Sequence, residues 1–140
     1  FLPGDINQKL APWVAPIEDV LRRITTTNTQ EVMKSMEIVP LAVMRGRTFD
    51  DCVAILDEAQ NCTWEQLKLF ITRLGKNGKL IICGDPDQSD LKFKNSLESF
   101  ANCLENLDCV GYVRFDESMI VRHPSLLSII TAIKDEERKR

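Results

Sequence analysis

Two short apolar runs mark the middle of the chain. Residues 53–56 (VAIL) and 80–83 (LIIC) are wholly apolar, and each ends abruptly in a polar cluster. Short runs of this kind are typical of strands buried on both faces of a sheet. Between them, apolar residues recur at helical spacing over residues 64–74, after a T-x-x-Q capping box that begins at Thr63 and before Gly75. Strand, helix and strand in this order predict a βαβ unit with parallel strands.

The flanking segments carry weaker patterns. The predicted fold class is α/β, as one domain over residues 1–140, with a loop and short helices over 1–36 and an α/β core over 37–140. The elements predicted outside the βαβ unit are a loop at 1–15, short helices that begin at Pro16 and after Asn28, an extended edge segment at 37–44 interrupted by Pro40, a strand at 110–115, and helices that begin at Ser96 and Pro124.

Composition places the chain among ordinary globular proteins. It has 140 residues, of which 44% are hydrophobic and 28% charged, and its 18 basic and 21 acidic residues give a net charge of −3. This balance excludes a strongly basic surface for nucleic acid but leaves room for a local basic groove. No apolar run approaches the ~18 residues that span a bilayer, and the amino terminus lacks the pattern of a signal peptide. We therefore expect a soluble cytoplasmic protein with no membrane partner.

Cysteine and histidine usage argues against a disulfide framework or a structural zinc site. The five cysteines are odd in number and form no C-x-x-C pair, and His123 is the sole histidine.

Both polar clusters lie where a parallel sheet binds its ligands, beyond the carboxyl ends of the strands. Asp57 and Glu58 directly follow the first strand, where partly desolvated carboxylates need a positive partner such as Mg²⁺. In P-loop nucleotide hydrolases the first acid holds Mg²⁺ through water, and the next residue activates the attacking water. Asp57 is thus the candidate metal-side acid and Glu58 the candidate general base. The alternative is that these acids simply favour the amino end of a helix.

The second cluster, G-D-P-D-Q at residues 84–88, follows the second strand. Asp85 and Gln88 are candidates to contact the terminal phosphate of a nucleotide or to orient its attacking water, because an amide both donates and accepts. Gln60, in the first cluster, is a further candidate nucleotide ligand. The alternative for G-D-P-D is an ordinary turn. Two such clusters separated by one capped helix are more specific than either alone.

The chain carries six segments in a characteristic order: F-L-P-G-D at the start, R-G-R-T at 45–48, V-A-I-L-D-E-A-Q-N at 53–61, T-W-E-Q-L-K-L-F-I-T-R-L-G at 63–75, G-D-P-D-Q-S-D-L at 84–91 and V-R-H-P at 121–124. In this order they resemble the carboxyl-terminal part of a PhoH-family ATPase. The resemblance implies a RecA-like P-loop NTPase, a three-layer αβα fold with a mainly parallel sheet, and binding of ATP and Mg²⁺. It also implies a link to RNA or single-stranded DNA and to the phosphate-starvation response of bacteria and their phages, and assembly into a homo-oligomer such as a hexameric ring.

The sequence contains no phosphate-binding loop of the form G-x-x-x-x-G-K-[ST]. Residues 75–79 (GKNGK) come closest, but their spacing is wrong and they precede a strand, so a helix-stopping turn is predicted there. In the family, this loop lies upstream of the residues that match Phe1–Asp5. A chain that begins at Phe1 is therefore expected to be a fragment that lacks the P-loop strand and helix and is inactive alone.

Three functional hypotheses stay open. The first is a magnesium-dependent ATPase, the second a truncated module kept for oligomerisation or nucleic-acid binding, and the third a superfamily-one helicase fragment. The third arises because Pro86 and Ser89 depart from the PhoH pattern, and G-D-P-x-Q is closer to those helicases. A complete helicase would need a second RecA-like domain, for which 140 residues leave no room.

Several basic residues are candidates to bind phosphates. The resemblance suggests that Arg122 reaches the γ-phosphate as an arginine finger, within the subunit or across a ring interface; a local salt bridge is the alternative. His123 is expected to cap a helix rather than to act in catalysis. Arg45 and Arg47 are candidates for phosphates of a nucleotide or of nucleic acid, the alternative being a solvated loop. A basic stripe for nucleic acid would comprise Arg73, Lys76, Lys79, Lys92 and Lys94.

Overall fold

The computed structural model describes residues 6–26, 28–90, 96–116, 119, 121, 123–137 and 139. The chain divides into two compact units, Phe1–Leu97 and Glu98–Arg140. The helices are α1 (Ile6–Ile24), α2 (Thr29–Lys34), α3 (Trp64–Ile71), α4 (Ser96–Leu104) and α5 (Pro124–Glu137), the strands are β1 (Val53–Leu56) and β2 (Lys79–Ile82), and 3₁₀ turns cover Leu41–Val43, Ala59–Asn61 and Pro86–Gln88.

The centre of the first unit is the βαβ arrangement predicted from the apolar runs. β1 and β2 are parallel neighbours, in a register that runs from Val53 opposite Lys79 to Leu56 opposite Ile82. The helix α3 connects them along the chain, so the predicted strand, helix and strand are confirmed. Because the strands are parallel and adjacent, the loops that follow them begin at the same edge of the sheet.

Helix α3 begins as predicted but ends earlier. The Thr63 hydroxyl accepts a hydrogen bond from the Gln66 amide, and the Gln66 side chain accepts one from the Thr63 amide, so the capping box is present. The helix stops at Ile71 rather than continuing to Leu74. Beyond it, the backbone pairs with an earlier segment, because the Phe49 amide donates to the carbonyl of residue 73 at 2.8 Å. This pairing competes with further helical hydrogen bonds.

The apolar stripe of α3 supplies the core of the first unit. Leu67 and Phe70 are fully buried, three residues apart on one face of the helix. The Phe70 ring lies 5.9 Å from the Phe49 ring at an interplanar angle of 55°, within the range that aromatic pairs favour. Burying each such side chain stabilises the fold by about 1.5–3 kcal/mol. The other buried residues of this unit include Met44, Ala59 and Cys62.

The two strands are covered on one face only. Val53 and Ile55 are 57% and 62% exposed, and Ile81 beside them is 40% exposed. A parallel sheet buried on both faces needs a covering layer on each side. In the part of the chain that the structure describes, the prediction of burial on both faces is therefore wrong. The opposite face carries the half-buried residues Ala54, Leu56, Leu80 and Ile82.

Helix α1 replaces most of the loop predicted over residues 1–15. It contains Pro12 and Pro16, each of which lacks a backbone donor and was expected to break or to begin a helix. The helical spacing of apolar residues nevertheless continues across both prolines, and one helix forms over the whole segment. Residues 1–5 lie outside the described residues. The half-buried side chains that maintain this period are Leu10, Val14, Ile17 and Leu21.

Two further strand predictions are wrong. Within residues 37–44 the backbone is extended at Pro40 and then forms the 3₁₀ turn Leu41–Val43. Residues 110–115 form no regular element, and Val113 is 74% exposed. An alternating pattern becomes a strand only where another strand pairs with it, and the sheet among the described residues has two strands.

Predicted helix beginnings agree better with the structure. The Asn28 side chain accepts a hydrogen bond from the Gln30 amide at 3.0 Å and so caps α2. The His123 Nδ1 atom accepts one from the Ser125 amide at 3.2 Å, which confirms the capping interpretation of His123. Helices α4 and α5 begin at the predicted residues. Among the described helices, none combines the length and the apolar character of a bilayer span.

Candidate functional site

The carboxyl ends of β1 and β2 bring the two polar clusters together. The Cys83 amide donates to the Leu56 carbonyl at 2.8 Å, and the Ala59 amide donates to the Cys83 carbonyl at 2.9 Å. The loop that carries Asp57 and the loop that carries Asp85 therefore leave neighbouring strands. The two polar clusters thus lie at the ends of neighbouring strands, which is the basis of the candidate site.

The first loop presents an exposed carboxylate at Asp57. Its Oδ1 atom accepts a hydrogen bond from the Glu58 amide at 3.0 Å. Its Oδ2 atom has no protein partner among the described residues. A carboxylate with one unpartnered oxygen at a strand end suits a Mg²⁺ ion, which usually keeps several waters and takes one or two carboxylates from the protein. The described residues contain no group of three or more His, Cys, Asp or Glu side chains able to hold a metal ion.

Glu58 has an unusual backbone conformation. Its φ of 53° and ψ of 36° lie in the left-handed region, which non-glycine residues seldom adopt. Its carboxylate is held from one side, because Oε2 accepts a hydrogen bond from the Gln60 side-chain amide at 2.6 Å. The side chain is otherwise exposed. A general base needs this combination of a fixed position and open access for the water that it deprotonates.

The second loop forms the turn that was the alternative interpretation of G-D-P-D. Asp85 accepts hydrogen bonds on both carboxylate oxygens, from the Asp87 amide at 3.0 Å and from the Gln88 side chain at 2.7 Å. Asp85 thus caps the 3₁₀ turn Pro86–Gln88. The structure pairs the two predicted phosphate-contacting residues with each other. Their contact with a nucleotide stays a prediction.

Two residues that the motif analysis did not assign hold the loops together. The Ser89 hydroxyl donates to the Gln60 carbonyl at 2.9 Å. The Asn61 side chain accepts a hydrogen bond from the Asp90 amide at 3.0 Å. Serine and asparagine are typical side-chain partners of loop backbone, but their position next to the two motifs was the only signal of this role in the sequence.

The predicted basic ligands differ in their availability. Arg45 is exposed, with no partner among the described residues. Arg47 instead pairs with Glu37 at 2.7 Å, although this pair is largely exposed. Arg73 donates to the Arg47 carbonyl at 3.3 Å, while its buried Nε atom has no partner in the described structure. Arg122, Lys92 and Lys94 lie outside the described residues.

A cavity of about 620 Å³ lies elsewhere in the first unit, against α1 and α2. Its lining includes Glu18, Arg22 and Lys34 and none of the predicted site residues. The charges and the strand-end geometry, and not this cavity, mark the candidate site.

Comparison with known proteins assigns the family. A family model described as "PhoH-like protein" matches residues 1–134, nearly the whole chain. The chain belongs to the PhoH family. This assignment confirms the resemblance seen in the motifs and favours it over the helicase interpretation.

Several PhoH relatives match most of the chain. It is 43% identical over 137 residues to a PhoH-like protein of Bacillus subtilis, covering 94% of the chain and 43% of that protein. It is 45% identical over 133 residues to Protein PhoH of Escherichia coli K12, covering 87% of the chain and 36% of that protein. A PhoH-like protein of Mycobacterium tuberculosis is 36% identical over 137 residues, with 94% and 39% covered. The chain thus spans less than half the length of these curated relatives.

Proposed function

We propose that this chain supplies the magnesium-side acid and the general base of an ATP-hydrolysing PhoH protein with a RecA-like P-loop fold. The observation that carries the proposal is the position of Asp57 and Glu58, an exposed acidic pair at the end of β1, directly beside the end of β2. Ligands of open parallel sheets bind at this edge. The family assignment supports the same conclusion.

The roles of individual residues follow from their contacts. Asp57 would hold Mg²⁺ through water, and the ion would neutralise charge on the phosphates of ATP. Glu58 would accept a proton from the attacking water on Oε1, because Oε2 is occupied by Gln60. Gln88 would assist in orienting the water or the terminal phosphate. Arg45 has the exposure and the free guanidinium that a phosphate contact requires.

Hydrolysis needs a phosphate cradle that these 140 residues do not encode as a recognisable motif. We expect the cradle to come from another segment or from a neighbouring subunit of a homo-oligomer. Coupling to RNA or single-stranded DNA, the phosphate-starvation response and a cytoplasmic location are proposals that rest on the family. Of the predicted basic stripe, Lys76 and Lys79 are exposed and available for a nucleic-acid backbone, whereas Arg73 is half-buried and donates to the Arg47 carbonyl.

A non-catalytic binding module is the second candidate. It is favoured by the arrangement of the second loop, in which each Asp85 carboxylate oxygen accepts a hydrogen bond within the turn, one of them from the Gln88 side chain. In that case, the strand-end loops would serve as structural supports for oligomerisation or nucleic-acid binding.

Calorimetric titration of magnesium-ATP into the 140-residue chain separates the candidates. If a cradle is supplied within the chain or by a second copy, ATP binds, and Asp57→Ala weakens binding in magnesium but much less in EDTA. The matched control is Asp19→Ala, an exposed aspartate in α1 whose helical backbone accommodates alanine. Absence of binding to a folded chain, together with absence of ATP hydrolysis by the full natural protein that contains it, would reject the ATPase proposal and favour the binding module.

A further inference from the structure

Gln60 is the buried polar side chain of the described structure, with 4% of its surface exposed. Buried amides are expensive unless their hydrogen bonds are made. The Gln60 Oε1 atom accepts a hydrogen bond from the Asp85 amide at 3.1 Å, and Nε2 donates to Glu58 Oε2 at 2.6 Å. One side chain therefore joins the loop after β1 to the loop after β2.

The chemistry of the partners fixes the orientation of this amide. A backbone N–H only donates, so the atom facing Asp85 must be the oxygen of Gln60. A carboxylate only accepts, so the atom facing Glu58 must be the nitrogen. A flipped amide would lose both hydrogen bonds at once. Gln60 thus presents its donor to Glu58 only while its acceptor is engaged by the second loop.

The neighbouring glycine keeps the space that this arrangement needs. A Cβ atom added at Gly84 would lie 2.8 Å from Gln60 Oε1 and 2.9 Å from the Gln60 backbone nitrogen. It would also lie 2.7 Å from the Leu97 side chain. A side chain at residue 84 would therefore force Gln60, Leu97 or the backbone of one of the loops to shift.

We propose that Gln60 is a positioning residue, which holds the Glu58 carboxylate in place and ties it to the Gly84–Gln88 loop, rather than a group that binds the nucleotide itself. The proposal rests on the proposed function, since it assigns Glu58 as the base. It revises the expected role of Gln60 as a nucleotide ligand, because both ends of its amide contact the protein. A displacement of either loop would then change the position of the base.

The kinetic test uses the full natural protein that contains these residues. Gln60→Glu keeps an oxygen for the Asp85 amide but turns a carboxylate towards Glu58, and we expect kcat to fall roughly tenfold to a hundredfold with KM for ATP within about threefold. Glu58→Gln alone is expected to lower kcat by roughly a hundredfold or more. When Gln60→Glu is added to that variant, kcat should fall by less than about a further twofold. The matched control is Gln66→Glu in the α3 capping box, which we expect to keep kcat.

Two kinetic outcomes would overturn the proposal. A raised KM with an unchanged kcat would mean that Gln60 contacts ATP directly. Equal losses from the Gln60 substitution in both backgrounds would mean that it does not act through Glu58.

A second measurement does not depend on ATP. In the 140-residue chain, amide hydrogen exchange at Asp85 should accelerate at least about tenfold in Gln60→Met, which offers no acceptor, and stay near the wild-type rate in the control Gln66→Glu. Glu58→Ala should also accelerate it, because the Gln60 amide loses one of its two anchors. Unchanged exchange in both Gln60→Met and Glu58→Ala would refute the link between the loops. Failure of ATP hydrolysis in the wild-type protein would reject the proposed function and leave this result standing.

Discussion

At the scale of the residue, the chemical role of Glu58 was predicted from the sequence, but its backbone conformation was not. A non-glycine residue in the left-handed region costs roughly 1–2 kcal/mol. The conformation persists because contacts on both sides hold it: the Glu58 amide donates to Asp57, and its carboxylate accepts from Gln60. The apolar run and the acidic residues after it were enough to predict that Asp57 and Glu58 follow a strand, and their chemical roles stay predictions. The left-handed φ and the Gln60 contacts were not predictable, because they depend on the loop after β2.

The conformational cost at Glu58 is measurable by comparing two truncations. Glu58→Gly and Glu58→Ala both remove the carboxylate, but only glycine adopts a φ of 53° without steric cost. We expect the glycine variant to be more stable than the alanine variant by about 1 kcal/mol. Urea unfolding of the 140-residue chain measures the difference.

The control for this comparison is Lys68 in α3, an exposed residue with helical backbone. There the order should reverse, with glycine less stable than alanine by about 0.8–1 kcal/mol. If glycine were less stable than alanine at residue 58 as well, the backbone of Glu58 would not be left-handed in solution.

At the scale of the element, predictions were correct where an element depends on residues close together in sequence. They were wrong where an element needs a partner from elsewhere in the chain. The capping box of α3 lies within a few residues of sequence and is observed as predicted. The strand predicted at 110–115 needed a second strand to pair with. Burial of the sheet on both faces needed a covering layer on each face, and the described structure provides neither. In α1 the error was the reverse, because local proline signals were overruled by a longer apolar period.

The capping box gives an element-scale prediction. Thr63→Ala leaves the Gln66 amide without its acceptor and should lower the free energy of unfolding by about 1 kcal/mol. Thr63→Ser keeps a hydroxyl at the cap and should stay within about 0.5 kcal/mol of the wild type. Both values come from urea unfolding followed by circular dichroism. Equal stability of the alanine and serine variants would show that this hydroxyl does not cap the helix.

At the scale of the whole molecule, every described candidate ligand of the strand-end site lies in the first unit. The parallel βαβ topology made this grouping predictable, since it brings two distant motifs to one edge of the sheet. The core beneath the site was less predictable, because the short apolar segments do not show which side chains become fully enclosed. Cys62 illustrates the point: it directly follows the polar cluster in sequence, yet it is only 7% exposed.

Cys62 also reports on opening of the first unit. All five cysteines are free, and the other four are exposed. Burial raises the pKa of the Cys62 thiol above its ordinary value, so less of it is present as the reactive thiolate, and access is restricted as well. In iodoacetamide labelling at pH 8, we expect Cys62 to react at least about tenfold more slowly than Cys52 and Cys83, as followed by peptide mass spectrometry. In urea the difference should disappear, because the unfolded chain exposes all the thiols equally. Comparable rates in the absence of urea would show that the part of the first unit that encloses Cys62 opens freely, and Glu58, four residues earlier in the chain, would then lack a rigid support.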